Sequence, residues 1–373
     1  MADAEETLRR LLEEILDEMN YKPRETEIKA IESGGANFTS VLFLINISCP
    51  NREDLKMFAK VACVGEKMRS RMIGDWLYDT ERFVYTRLLK VYNDIENKMN
   101  VSDEHKFRCP KLYGYNAEKG RETVVMENLV ESGYQPFSRF ESLDWAHASA
   151  AIENLAKFHA LSFAYAKHHP DEFEKLIVDL KFRIVSGGQD DDLWQKLIAC
   201  SLAAVEQDLQ GRLIKVMEDC ADDSAKYYRP IGQPVIVHGD YRCSNILFRK
   251  QGVIVDAVSI DYQTVHSGTP ALDIIYFIVS STDEEFRKQY FDELLVHYYT
   301  KLEEALKRLS VDPSEVLPYS IILGAVILPM ITAEGDSIPK VDGDVKDFIP
   351  TPNELSVQRF RGIVNDCVKW GAI

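Results

Sequence analysis

Residues 235–248 read V-I-V-H-G-D-Y-R-C-S-N-I-L-F, and after a short turn residues 258–263 read V-S-I-D-Y-Q. Three apolar, β-prone runs, Val235 to Val237, Ile246 to Phe248 and Val258 to Ile260, alternate with polar clusters that a strand cannot usefully bury. Each cluster therefore falls where a strand ends, and Asp240, Asn245 and Asp261 are offered at one edge of a small sheet. Phosphoryl transfer from a nucleoside triphosphate calls for such a set: one carboxylate to accept a hydroxyl proton, a second carboxylate and an amide to hold magnesium against the phosphates. An Asp after His-Gly on its own is more simply the cap of a turn. The Asn and the second Asp at loop-like distances change that reading.

His238, any residue, Asp240, four residues and Asn245, with Asp261-Tyr262-Gln263 downstream, reproduce the spacing of a kinase catalytic loop and its magnesium triplet. The segment resembles the small-molecule phosphotransferases of protein-kinase-like fold, the choline and aminoglycoside kinases. Within them it is most similar to the ecdysteroid kinase-like family, where H-G-D-x-x-x-x-N and a D-F-Q-like triplet recur. The resemblance implies an α+β, bilobal protein-kinase-like fold: a small antiparallel-sheet N-lobe over residues 1–128 that binds nucleotide, and a mainly helical C-lobe over 129–373. It implies ATP and Mg2+ as cofactors, with Asp240, Asn245 and Asp261 catalytic and Asn245 and Asp261 on the metal. The acceptor it implies is a hydroxyl of a small organic molecule, of the ecdysteroid or hydroxylated-xenobiotic class.

Upstream, residues 57–63 read M-F-A-K-V-A-C, a strand with Lys60 alone among apolar neighbours. A lysine there costs free energy unless it is paired or solvated by a ligand. In the next helix Leu77, Thr80, Val84, Leu88 and Val91 form one stripe, and Glu81 falls beside it, so Lys60 and Glu81 read as one ion pair. The simpler alternative is a lysine that snorkels to water and a solvated glutamate. The family shows a similar aromatic-x-x-Glu-x-x-x-Tyr pattern, here Tyr78, Glu81 and Tyr85. Between strands at Ile28 to Ile31 and Val41 to Ile47, residues 33–40 read S-G-G-A-N-F-T-S, either a plain hairpin loop or a loop whose N–H groups approach phosphates. The resemblance favours the second, with Gly35, Asn37 and Ser40 as the phosphate-loop residues. A hairpin over Lys111 to Tyr115 and Glu122 to Met126 leads to Glu127, a simple strand end by its residues and the adenine-binding hinge by resemblance.

Residues 4–20 form an amphipathic helix, 92–108 a polar loop, and Asp144 to about His168 one long helix that Asp144 caps. His159 on its apolar face reads as structural. Asp273 either stabilises the catalytic loop or favours a helix N-terminus. Further helices are expected over 284–309, 321–333 and 353–370, with an acidic loop over 335–352. The chain has 373 residues, long enough for two lobes. Its net charge of −16 argues against nucleic acid or anionic membrane as the main partner. Seven cysteines with no C-x-x-C pair, and an N-terminus unlike a signal peptide, point to a cytoplasmic protein with reduced thiols. The longest apolar run, Ile321 to Ile331, is too short to span a bilayer, and no protein partner is implied. Two other readings stand beside the small-molecule kinase. A protein kinase is disfavoured by Gly239, Gln263 and the missing A-P-E segment; a catalytically inactive binder of a sterol-like ligand is disfavoured by the full polar set.

Overall fold

Five strands hydrogen-bond into one antiparallel sheet: β1 (Glu25–Ile31), β2 (Ser40–Ser48), β3 (Leu55–Ala62), β4 (Leu112–Asn116) and β5 (Thr123–Glu127), in the order β1-β2-β3-β5-β4. Alternation sends Phe43, Ile45 and Ile47 of β2 and Met57, Ala59 and Val61 of β3 to one buried face. That face is covered by helix α1 (Ala2–Glu18), whose Leu8, Leu11, Leu12, Ile15 and Leu16 recur at helical spacing. Lys60, of opposite parity to Ala59 and Val61, therefore points to the other face, paired in register with Leu42 and Val124. The computed structural model describes residues 2–31, 39–50, 52–65, 69, 74–182, 196, 199–200, 202–221, 230, 232–313, 354, 357 and 361. Gly35, Asn37, the helix expected over 321–333 and the loop over 335–352 lie outside the described residues, as does most of the helix expected over 353–370.

Helix α2 (Gly74–Phe83) runs through one π turn (Val84–Leu88) into α3 (Leu89–Lys98). The expected loop over 92–108 is thus helical as far as Lys98. Tyr92 and Ile95 sit three residues apart and are buried, and the adjacent Glu96 is buried too, so charge in the sequence concealed an inward face. Helix α4 (Trp145–His168) starts where Asp144 accepts the His147 N–H at 2.9 Å. Beyond it come α5 (Pro170–Asp179), α6 (Gln207–Ala221), α7 (Pro270–Ser281) and α8 (Glu284–Arg308), and α4 and α8 share the larger apolar core. The runs around the central motif are split between two small sheets, not one. Strands β6 (Gln135–Pro136), β8 (Ile246–Gln251) and β9 (Ile254–Ser259) form the first; β7 (Val235–Val237) and β10 (His266–Gly268) form the second. An antiparallel sheet drawn from before Asn128 and a mainly helical remainder make up the expected α+β, kinase-like arrangement. No helix among the described residues is long and apolar enough to cross a membrane.

Candidate active site

The Lys60 ammonium sits between two carboxylates, 2.8 Å from Glu81 Oε1 and 2.7 Å from Asp261 Oδ1. The pleat of β3 aims Lys60 at α2, which supplies Glu81, and Asp261 follows the end of β9. Glu81 is 2% exposed, and Gln263 Nε2 donates to its second oxygen at 3.3 Å. Burial acts against the Lys60 ammonium, but Asp261 and Glu81 outweigh it and hold its pKa above the ordinary value. Burial likewise pushes the Asp261 carboxyl up, and the Lys60 charge beside it outweighs burial and holds it low. At Glu81 burial prevails, and that carboxyl is raised.

The loop before Asp240 is braced from beneath. Gly239 has φ 82°, and a Cβ there would run into the Thr264 carbonyl and lie 2.9 Å from His266 Nδ1, so only glycine fits. The N–H groups of His238 and Gly239 donate to the two oxygens of Asp273 at 2.7 and 2.9 Å. This resolves the open reading of Asp273: from the first turn of α7 its buried carboxylate holds the loop. Burial pushes that carboxyl up, but the His159 ring and the backbone donors outweigh it and hold it below its usual range. His159 Nε2 lies 3.2 Å from Asp273 and Nδ1 2.8 Å from Tyr298 Oη, the structural position expected of it. His238 has a fixed tautomer. Its Nε2 must donate to the Ile260 carbonyl at 3.1 Å, and its Nδ1 must accept the Asp240 N–H at 3.4 Å.

Asn245 Nδ2 donates at 2.9 Å to both the main-chain oxygen and Oδ2 of Asp240. Two acceptors on one nitrogen fix the amide, leaving Asn245 Oδ1 turned away from them. Arg242 Nε (3.0 Å) and Tyr276 Oη (2.9 Å) converge on Asp240 Oδ1. The Ile260 N–H donates to the Asn245 carbonyl at 2.9 Å, tying this loop to Asp261, which adopts the left-handed conformation (φ 67°, ψ 59°). Asn245 Oδ1 and Asp261 Oδ2 take no hydrogen bond from the described residues. Two uncommitted oxygens, one amide and one carboxylate, suit a hard cation such as Mg2+, which takes few protein ligands and fills its shell from phosphates and water.

Ser40 opens β2 and lines a small cavity with Lys60, Tyr78 and Glu81. The preceding Thr39 carbonyl is held by the Tyr78 hydroxyl and, at 3.1 Å, the Cys63 N–H. Glu127 is not drawn into the Lys60 cluster. Its carboxylate takes Arg108, the Lys111 N–H and Ser132, each at 3.3 Å, at the end of β5. Sequence reasoning missed Gln263 as the brace on Glu81 and Tyr276 as a donor to Asp240. The first carries a signal, the third position of the D-Y-Q triplet. The second has only its place one turn after Asp273 on α7.

Comparison with known proteins bears on this arrangement. An uncharacterized kinase-like protein of Caenorhabditis elegans is 28% identical over 152 residues, covering 40% of this chain and 39% of that protein's length. The solved structure of a microcompartment-associated aminopropanol kinase aligns over 95% of both chains at 10% identity, with a TM-score of 0.34. The ecdysteroid kinase-like family matches residues 34–311, a span that includes Lys60, Glu81, the 238–245 loop and Asp261. The chain therefore belongs to the ecdysteroid kinase-like family.

Proposed function

We propose that the chain transfers the γ-phosphoryl group of ATP to a hydroxyl group of a small organic acceptor, in the cytoplasm. Residues 1–128 would hold the nucleotide, and 129–373 would carry the catalytic loop and the acceptor region. The observation that carries this reading is the Lys60 ammonium held between Glu81 and Asp261, groups 21 and 201 residues away from it in sequence. In the proposed reaction Asp240 accepts the acceptor's hydroxyl proton, and the Asn245 amide on its Oδ2 keeps the carboxylate in one orientation. Lys60, braced by Glu81, neutralises the non-transferred phosphates, and Gly35, Asn37 and Ser40 are the proposed phosphate-loop residues. Bound Mg2+ would be held by Asn245 and Asp261 and would supply charge neutralisation to the phosphate oxygens. Because the transition state is loose, the chain's contribution is positioning and fixed charge more than covalent chemistry.

Family membership favours an acceptor of the ecdysteroid or hydroxylated-xenobiotic class. To test the reading, the pure chain is incubated with MgATP and a metabolite extract, beside a peptide panel, and the products are scanned by mass spectrometry for gain of one phosphate. A phosphorylated small molecule is expected from the wild type and not from Asp240→Asn. Phosphorylated peptides alone, no product at all, or equal product from the two chains would each overturn it.

A further inference from the structure

Arg242 stands two residues after Asp240 and is pinned at both ends. Its carbonyl accepts the Asn245 N–H at 2.8 Å, closing the short helical turn Cys243–Asn245. Its side chain gives Nε to Asp240 Oδ1 at 3.0 Å, the oxygen that also takes the Tyr276 hydroxyl. A guanidinium beside a carboxylate ordinarily spends more of its fork, as Arg249 does when both Nε and Nη2 reach Asp256. Here Asn245 already holds Asp240 Oδ2, and Arg242 Nη1 and Nη2 donate to nothing among the described residues.

Solvent reaches this part of the site. Arg242, Asp240 and Asp261 are each partly exposed, unlike Glu81 at the back of the Lys60 cluster. Burial works against the Arg242 charge, but Asp240, and after it Tyr276 and Asp261, outweigh burial and raise its pKa. Arg242 is therefore close enough to both acids to interact with each. In the proposed reaction one of these acids receives the acceptor's proton and the other holds the metal on the phosphates, so the group in transfer passes between them. That group brings charged equatorial oxygens, whereas a hydroxyl acceptor need bring no charge at all. A planar cation with both terminal nitrogens uncommitted matches such oxygens better than the point charge of a lysine does.

We infer, resting on the proposed phosphoryl-transfer reading, that Arg242 is a further catalytic residue whose Nη1 and Nη2 donate to the equatorial oxygens of the γ-phosphoryl group in transfer. The bond from phosphorus to the ADP oxygen breaks as the bond to the acceptor oxygen forms. The acceptor's proton goes to Asp240, and Arg242 keeps its own throughout. The probe is fluoroaluminate, which joins MgADP in place of the group in transfer, titrated by calorimetry into the full chain with no acceptor present. In the wild type it is expected to tighten MgADP by about 10³-fold or more, as a transition-state mimic does. Arg242→Gln should bind MgADP alone within about threefold of the wild type and lose about 10²-fold of the tightening, the worth of a donor aimed at the reacting oxygens. Tyr276→Phe, which strips the other donor from the same carboxylate oxygen, should lose no more than about fivefold. No tightening in the wild type, or equal tightening in Arg242→Gln, would overturn the role; the second is also what a guanidinium kept for an anionic acceptor would give. An equal loss in Tyr276→Phe would mean that Arg242 acts only through Asp240, and would overturn the contact. A wild type that does not bind MgADP would overturn the phosphoryl-transfer reading along with it.

Discussion

Lys60 and Arg69 are each held by two carboxylates, and they are built to different ends. Arg69 gives Nη1 and Nη2 to the two oxygens of Glu122 and Nε to Asp75, and its guanidinium lies 5.0 Å from the Tyr78 ring centroid. Its planar fork is used on every side, as a structural clamp requires. Lys60 is a point charge with three rotatable donors, and one of its partners, Asp261, keeps an oxygen uncommitted and is one-third exposed. A saturated pair holds a fold together; an unsaturated pair with one partner at the surface can exchange that partner for a ligand. The difference lies in what each cluster leaves unsatisfied, not in how many charges it contains.

The sharpest way to break that contrast is to remove one carboxylate from each cluster. Asp261→Asn, and likewise Asp240→Asn, should lower turnover by about 10²- to 10⁴-fold with the melting curve little changed. Asp75→Asn should leave turnover intact, because Asp75 is half exposed and Glu122 still engages Arg69. Steady-state kinetics beside thermal melts of the three variants decide it. Near-normal turnover in Asp261→Asn would remove it from the site.

Taking away the cations should reverse the ranking. Arg69→Met strands Glu122 at a largely buried position and is expected to cost about 3 kcal/mol of stability, by urea melts. Lys60→Met should cost less, since burial already raises the Glu81 carboxyl and the side chain can take up a proton. Its loss should appear instead as weaker nucleotide binding. A Lys60→Met chain less stable than Arg69→Met would contradict the distinction between the two clusters.

Glu96 sharpens the comparison from the other direction, as a buried carboxylate with no bridging cation among the described residues. It accepts the Phe107 N–H at 2.7 Å, and burial pushes its carboxyl from 4.5 up to about 7. The folded chain therefore binds a proton that the unfolded chain has lost. The resulting stability is fully present below about pH 4.5 and fades as pH rises through 7, by roughly 3 kcal/mol at most. Glu96→Gln, which keeps the acceptor for Phe107, should flatten that slope in melts taken between pH 5 and 8. An unaltered slope would mean that Glu96 is ionised throughout.

Legibility followed sequence distance. The alternation of M-F-A-K-V-A-C gave Lys60 its face, the helical stripe gave Glu81 its side, and Asp144 announced α4. These are local periodicities, and they decide orientation within one element. The clamp of Asp273 on His238 and Gly239 spans more than thirty residues and depends on how α7 docks, which no period encodes. Arg69 gave no signal at all, because its partner Glu122 lies across a hairpin 53 residues on. Residues 92–98 were hidden differently: two apolar side chains among charges look like a loop until Glu96 proves to be buried as well.

The smallest effect expected is at Tyr276, and it discriminates most finely between an open cluster and a closed one. Its hydroxyl and Arg242 Nε share Asp240 Oδ1, while Asn245 takes Oδ2. If Asp240 is the proton acceptor, the two donors on Oδ1 hold its carboxylate in one orientation. Removing one neutral donor, with Arg242 and Asn245 still in place, should be worth about 1 kcal/mol, or roughly fivefold. Tyr276→Phe is therefore expected to lower turnover about fivefold in steady-state kinetics, with the melting curve unchanged. Arg242→Gln should lower it further, because it removes a charge as well as a hydrogen bond. Full turnover in both variants would mean that the two donors do not position Asp240.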